Sequence, residues 1–142
     1  MKSIKNLLLF FFYATCIQQS YCQVYKFKTT GFSVLERNDK GNWGKWSDLQ
    51  DASIVITLDT TKNRIVIYSQ EIQLYEIMNY EKVQENENDE IYSFQCRNDD
   101  GEPFVISIIK RKNQENRKQL YINQKNVIVV YNIVNLIGNN ER

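Results

Sequence analysis

From residue 24 onward the chain is a succession of short runs in which apolar and polar side chains alternate. Ile54, Ile56 and Leu58 fall on one face of such a run, with Val55 and Thr57 on the other. Tyr92, Phe94 and Cys96 oppose Ser93 and Gln95, and Phe104, Ile106 and Ile108 oppose Val105, Ser107 and Ile109. A period of two is the spacing of a β-strand with one face turned to a core. The pattern predicts strands over 24–35, 52–58, 64–69, 72–80, 91–97, 104–110, 119–123 and 127–134. Only 72–82, where Ile72, Tyr75 and Met78 recur three apart, admits a helical alternative.

The breaks between runs carry turn chemistry. Asn38-Asp39-Lys40-Gly41, Asp59-Thr60-Thr61-Lys62-Asn63, Asn98-Asp99-Asp100-Gly101 and Asn123-Gln124-Lys125-Asn126 are rich in residues that tolerate left-handed or locally bonded backbone. Short strands with short connections predict an all-β fold. The expected form is a single antiparallel meander of about eight strands, closed or nearly closed into a barrel, or folded as a sandwich. Closure removes the edges that an exported β-protein must otherwise protect. Residues 127–134 are apolar on both faces, which places that strand centrally or at the closure seam.

The first 22 residues break the pattern. Lys2 and Lys5 precede an unbroken apolar run from Leu7 to Ala14, and a small, polar segment follows. That is the layout of a secretory signal peptide, and the run is far shorter than the ~20 residues needed to span a bilayer. The expected division is a signal peptide over 1–22 and one β domain over 23–142, secreted or periplasmic, with no stable membrane insertion after cleavage. Cleavage before Gln23 is favoured, with a cut after Cys16 second. The residues before Cys16 and Cys22 fit a lipoprotein signal poorly.

Removal of Lys2 and Lys5 takes 18 basic residues to 16 against 17 acidic, a net charge of −1. That balance argues against nucleic acid as a partner, which calls for a basic face. The same cut removes Cys16 and Cys22, so Cys96 has no internal disulfide partner and the core alone must hold the domain. The chain has no histidine. This excludes Ser-His-Asp and Cys-His nucleophile activation, histidine-ligated zinc and the imidazole base. No cofactor and no metal are called for. The acidic stretch Glu81 to Glu90 and the turn Asn98 to Glu102 match no calcium-loop spacing and read as solvated hairpin tips.

Both tryptophans sit in Gly41-Asn42-Trp43-Gly44-Lys45-Trp46. Paired aromatics on a loop can stack a sugar or close the mouth of an apolar cavity, whereas the plain structural account makes them plugs at the end of the core. We take Trp43 and Trp46, with Lys45 and Asp48 as polar neighbours, as the candidate ligand- or partner-binding residues, and assign no catalytic residue. The acidic stretch 81–90 and the basic stretch 110–118 belong to the same end of a meander and are expected to attract across its rim. Cys96, in step with Phe94, is expected to point inward as a small apolar side chain.

Gly44-Lys45-Trp46-Ser47-Asp48, Ser53-Ile54-Val55-Ile56-Thr57-Leu58-Asp59 and Arg64-Ile65-Val66-Ile67-Tyr68-Ser69 resemble a family of small secreted proteins of Bacteroidota. Gln73-Leu74-Tyr75-Glu76-Ile77 and Leu120-Tyr121-Ile122 belong to the same likeness. That family has no assigned activity. The resemblance implies the envelope or surroundings of such bacteria, or of their phages, and carries over no site residue. The doubled Gly-x-Trp is similar to the motif of lipocalins, although here it follows the first predicted strand instead of preceding it. The expected function is that of an exported, non-enzymatic binding module whose partner is a protein, a glycan or a small apolar ligand. The alternative is a lipocalin-like carrier of an apolar ligand inside the barrel.

Overall fold

The computed structural model describes residues 23–136. The signal peptide expected over 1–22 and the last six residues lie outside that range. The described residues form β1 (Val24–Glu36), β2 (Gln50–Asp51), β3 (Val55–Asp59), β4 (Arg64–Ile67), β5 (Gln73–Tyr80), β6 (Gln84–Glu85), β7 (Asp89–Arg97), β8 (Pro103–Arg111), β9 (Arg117–Asn123) and β10 (Val127–Asn135). Strand order runs β10-β9-β8-β7-β5-β4-β3-β1, and β10 pairs back onto β1, so eight antiparallel strands close a barrel. The two-residue strands β2 and β6 lie beside β1 and β7. Each of the eight predicted strands is a barrel stave, and residues 72–82 are strand and loop, not helix.

The closing pair runs from Phe27↔Asn135 to Glu36↔Val127 and matches β7–β8 as the longest pairing in the barrel. This explains why β10 is apolar on both faces: it sits at the seam, as its sequence predicts. The inward residues form continuous cross-strand rows, such as Ile56↔Ile67 and Leu58↔Ile65↔Tyr75 on one side and Phe94↔Ile106↔Ile122 on the other. Ile56, Ile65, Ile67 and Ile106 have no accessible surface at all. No water-sized space therefore adjoins them, as expected of an eight-stranded barrel whose interior is just wide enough for side chains to fill.

Two details differ from the alternation. The strand predicted over 52–58 begins only at Val55. Thr29, on β1, takes over the bonding of the residues before it: its hydroxyl donates to the Ala52 carbonyl and accepts from the Ile54 amide, both at 2.9 Å. Tyr92 keeps step with Phe94 and Cys96, yet it is exposed because it lies at the barrel's end, where its hydroxyl bonds Glu90.

That end carries the turns after β3, β5 and β8. The acidic and basic stretches do meet there: Arg111 pairs with Asp89 at 3.1 Å and Lys112 pairs with Glu85. The opposite end carries the turns after β4, β7 and β9, and the long connection that leaves β1.

Candidate functional site

Residues 37–52 fold back along β1. The turn is set by Asn38, whose side-chain oxygen accepts from the Lys40 and Asn42 amides at 3.0 Å each. Gly41 completes it at φ +82°, a left-handed conformation that only glycine adopts without cost. The returning arm is then pinned to β1 by successive bonds. The Gly44 amide donates to the Glu36 carbonyl at 2.9 Å, and the Ser47 amide to the Val34 carbonyl at 2.8 Å. The Ser47 hydroxyl accepts from the Val34 amide at 2.8 Å, and β2 pairs Asp51 with Gly31 and Gln50 with Phe32. The arm is thus a side-chain-assisted extension of the sheet, fixed at both ends, rather than a free loop.

Both tryptophans stand on this arm. Trp43 pairs with Arg37 across the hairpin, and the Arg37 guanidinium lies 4.4 Å over its ring. Trp43 remains 39% exposed, Trp46 45% and Leu49 63%. Lys45 and Asp48 are exposed. Neither tryptophan belongs to the apolar cluster inside the barrel. A recess of about 460 Å³ opens beside the hairpin, lined by Val34, Glu36, Arg37, Asn38, Gly44, Lys45 and Ser47. Of the four residues singled out from sequence, Lys45 lines this recess. Trp43, Trp46 and Asp48 lie along the same arm outside its lining.

The arrangement offers two aromatic faces, a cation stacked on one of them, and exposed aliphatic surface. A flat ring held rigid with one face to solvent suits stacking on sugars or on apolar side chains, at low entropic cost. Arg37 was not among the residues predicted, and neither was Leu49. Arg37 is read as an ordinary strand-end charge until the hairpin register places it opposite Trp43. Leu49 packs over Gly31, where a Cβ would sit 3.2 Å from its Cδ1.

Cys96 is buried, 4% exposed, with its Sγ 3.6 Å from the Phe94 carbonyl oxygen. Burial pushes its thiol up to about 12, so the thiolate that nucleophilic or redox chemistry requires is absent at neutral pH. The inward placement expected from its alternation with Phe94 holds. Among the described residues no group of three acids and cysteines is placed to hold a metal ion. No family model, curated protein or solved structure matches the chain, so its own surfaces carry what can be said of its role.

Proposed function

We propose that this protein is an exported, non-enzymatic binding module that engages a macromolecular partner through the outer surface of its aromatic hairpin. The observation that carries this reading is the contrast between inside and outside. The barrel interior is packed with buried isoleucine and aromatic side chains, four of the isoleucines without accessible surface, while both tryptophans of the chain stand partly exposed on a rigid arm. A carrier needs the reverse, an interior space of ~300–1,000 Å³ for its ligand. Aromatic side chains fixed on a sheet extension are typical anchors of recognition surfaces. A protein or a glycan of the bacterial envelope or its surroundings fits this surface. The signal-like pattern of residues 1–22 and the resemblance of the strand motifs to small secreted proteins of Bacteroidota support that setting.

The test is a pair of substitutions, Trp43→Ala and Trp46→Ala, read for thermal stability and for complexes recovered by cross-linking in the native host. On the proposed reading at least one variant keeps a near-native melting temperature and loses a complex that the wild type forms. Loss of the ~3–5 kcal/mol typical of a core aromatic deletion in both variants, with every complex retained, would make the tryptophans structural and move binding elsewhere.

A further inference from the structure

A second recess, of about 560 Å³, lies on a different wall of the barrel. Its floor is the outward face of β4, β5 and β7. Glu76 lies between Tyr75 and Ile77, both buried in the core, so it points outward, and it pairs across the sheet with Arg64 on one side and Arg97 on the other. Glu76 and Arg97 neutralise each other at 3.2 Å. What remains is sorted by sign. Lys62 and Arg64, from the turn after β3 and the start of β4, form one side of the recess. Asp99 and Asp100, from the turn after β7, form the other.

None of these four side chains has an ion-pair or hydrogen-bond partner among the described residues, whereas Arg97, Arg111 and Lys112 all have a carboxylate. The Arg64 Nε is buried without a hydrogen-bond partner, as is the Arg37 Nε. Both sides are held in place beforehand. Asp59 accepts from the Thr61 and Lys62 amides at 3.0 and 3.1 Å. Asn98 accepts from the Asp100 and Glu102 amides at 3.1 and 2.9 Å, with Gly101 at φ +79°. β4 and β7 flank β5, which sets the two sides ~10 Å apart at the level of the floor.

We propose that this recess binds a short zwitterionic peptide by its free ends, the C-terminal carboxylate on Lys62 and Arg64 and the N-terminal ammonium on Asp99 and Asp100. At ~3.3–3.6 Å per residue an extended chain of about three residues spans that separation. Capture of free peptide termini by fixed charges is a known mode of recognition. The site is separate from the aromatic hairpin and stands or falls independently of it.

Triglycine is the probe, titrated into isotope-labelled protein and followed by amide chemical shifts. Saturable shifts are expected at residues 62–64, 74–76 and 97–101. Blocking either end, as N-acetyl-triglycine or as triglycine amide, is expected to weaken binding by about tenfold or more, since each removes a charge-assisted contact. In Lys62→Gln/Arg64→Gln the amide and the free acid should bind alike. In Asp99→Asn/Asp100→Asn the acetylated and free peptides should bind alike, which tests the other side should Lys62→Gln/Arg64→Gln fail to fold. The absence of saturable shifts at these amides at ~10 mM triglycine, or equal binding of blocked and free peptides by the wild type, would overturn the proposal.

Discussion

Thr29 shows how one side chain settles a local fold. It is a buried polar residue, and its hydroxyl serves both the Ala52 carbonyl and the Ile54 amide. Thr29→Val keeps the shape and leaves both groups unmet, at ~1–3 kcal/mol for each. Thr29→Ser should restore most of that, and denaturant unfolding of the two variants measures the difference. Cys96 is the opposite case, a polar atom used as an apolar one. Its thiol should resist a thiol reagent at neutral pH until the protein unfolds. Cys96→Ser should cost on the order of 1–2 kcal/mol by burying a hydroxyl among apolar neighbours. Rapid labelling of the native protein would contradict the inward placement.

At the scale of elements, β1 does the most. Its first half pairs with β3, its second half with β2 and the hairpin arm, and from Phe27 to Glu36 its other edge pairs with β10. The register shifts between Thr29 and Gly31, where the strand bends from one partner to the next. Gly31 is required there by close approach, since a Cβ would stand 3.0 Å from the Gln50 carbonyl oxygen, a backbone atom with little freedom to retreat. Gly31→Ala should therefore destabilise by ~1–3 kcal/mol and displace the arm. Trp43 and Trp46 are the only tryptophans of the chain, so a red-shifted tryptophan emission in the native variant reports that displacement directly. The eight staves were legible in the sequence because each buries one face and so alternates visibly. β2 and β6 were not, because two exposed residues such as Gln50 and Asp51 carry no period. The hairpin arm was legible in composition only. Its strand-like course depends on Ser47 and on the Asn38 turn, and the Arg37–Trp43 stack on a register that alternation does not encode. The recess between Lys62, Arg64, Asp99 and Asp100 joins segments more than thirty residues apart, and the pairing of β4 and β7 on either side of β5 brings them together.

For the molecule as a whole, closure of β10 on β1 leaves no free edge among the eight staves, and the interior holds one cluster of buried apolar side chains. Several interior or mouth groups are held in their protonated form. Burial pushes Tyr75 from 10.0 up to about 12 and Cys96 from 9.0 up to about 12, and it raises Tyr131 as well. Tyr92 rises to about 12 chiefly through its hydrogen bond to Glu90. The unfolded chain gives up these protons first, so stability is fully present below the unfolded values and is lost as pH climbs through the folded ones. Melting temperature should hold level to about pH 9 and fall steeply toward pH 12. The share of tyrosinate absorbance that belongs to the buried Tyr75 and Tyr131 should rise in step with unfolding, not ahead of it. The filled interior and the exposed hairpin together make the central claim, that this barrel works from its outside. Native mass spectrometry of the protein isolated from its own host, beside its Trp46→Ala variant, tests that most directly. The predicted result is a wild-type barrel free of small apolar ligand but found with a macromolecular partner that the variant loses. A small apolar molecule retained one-to-one by both proteins would contradict it.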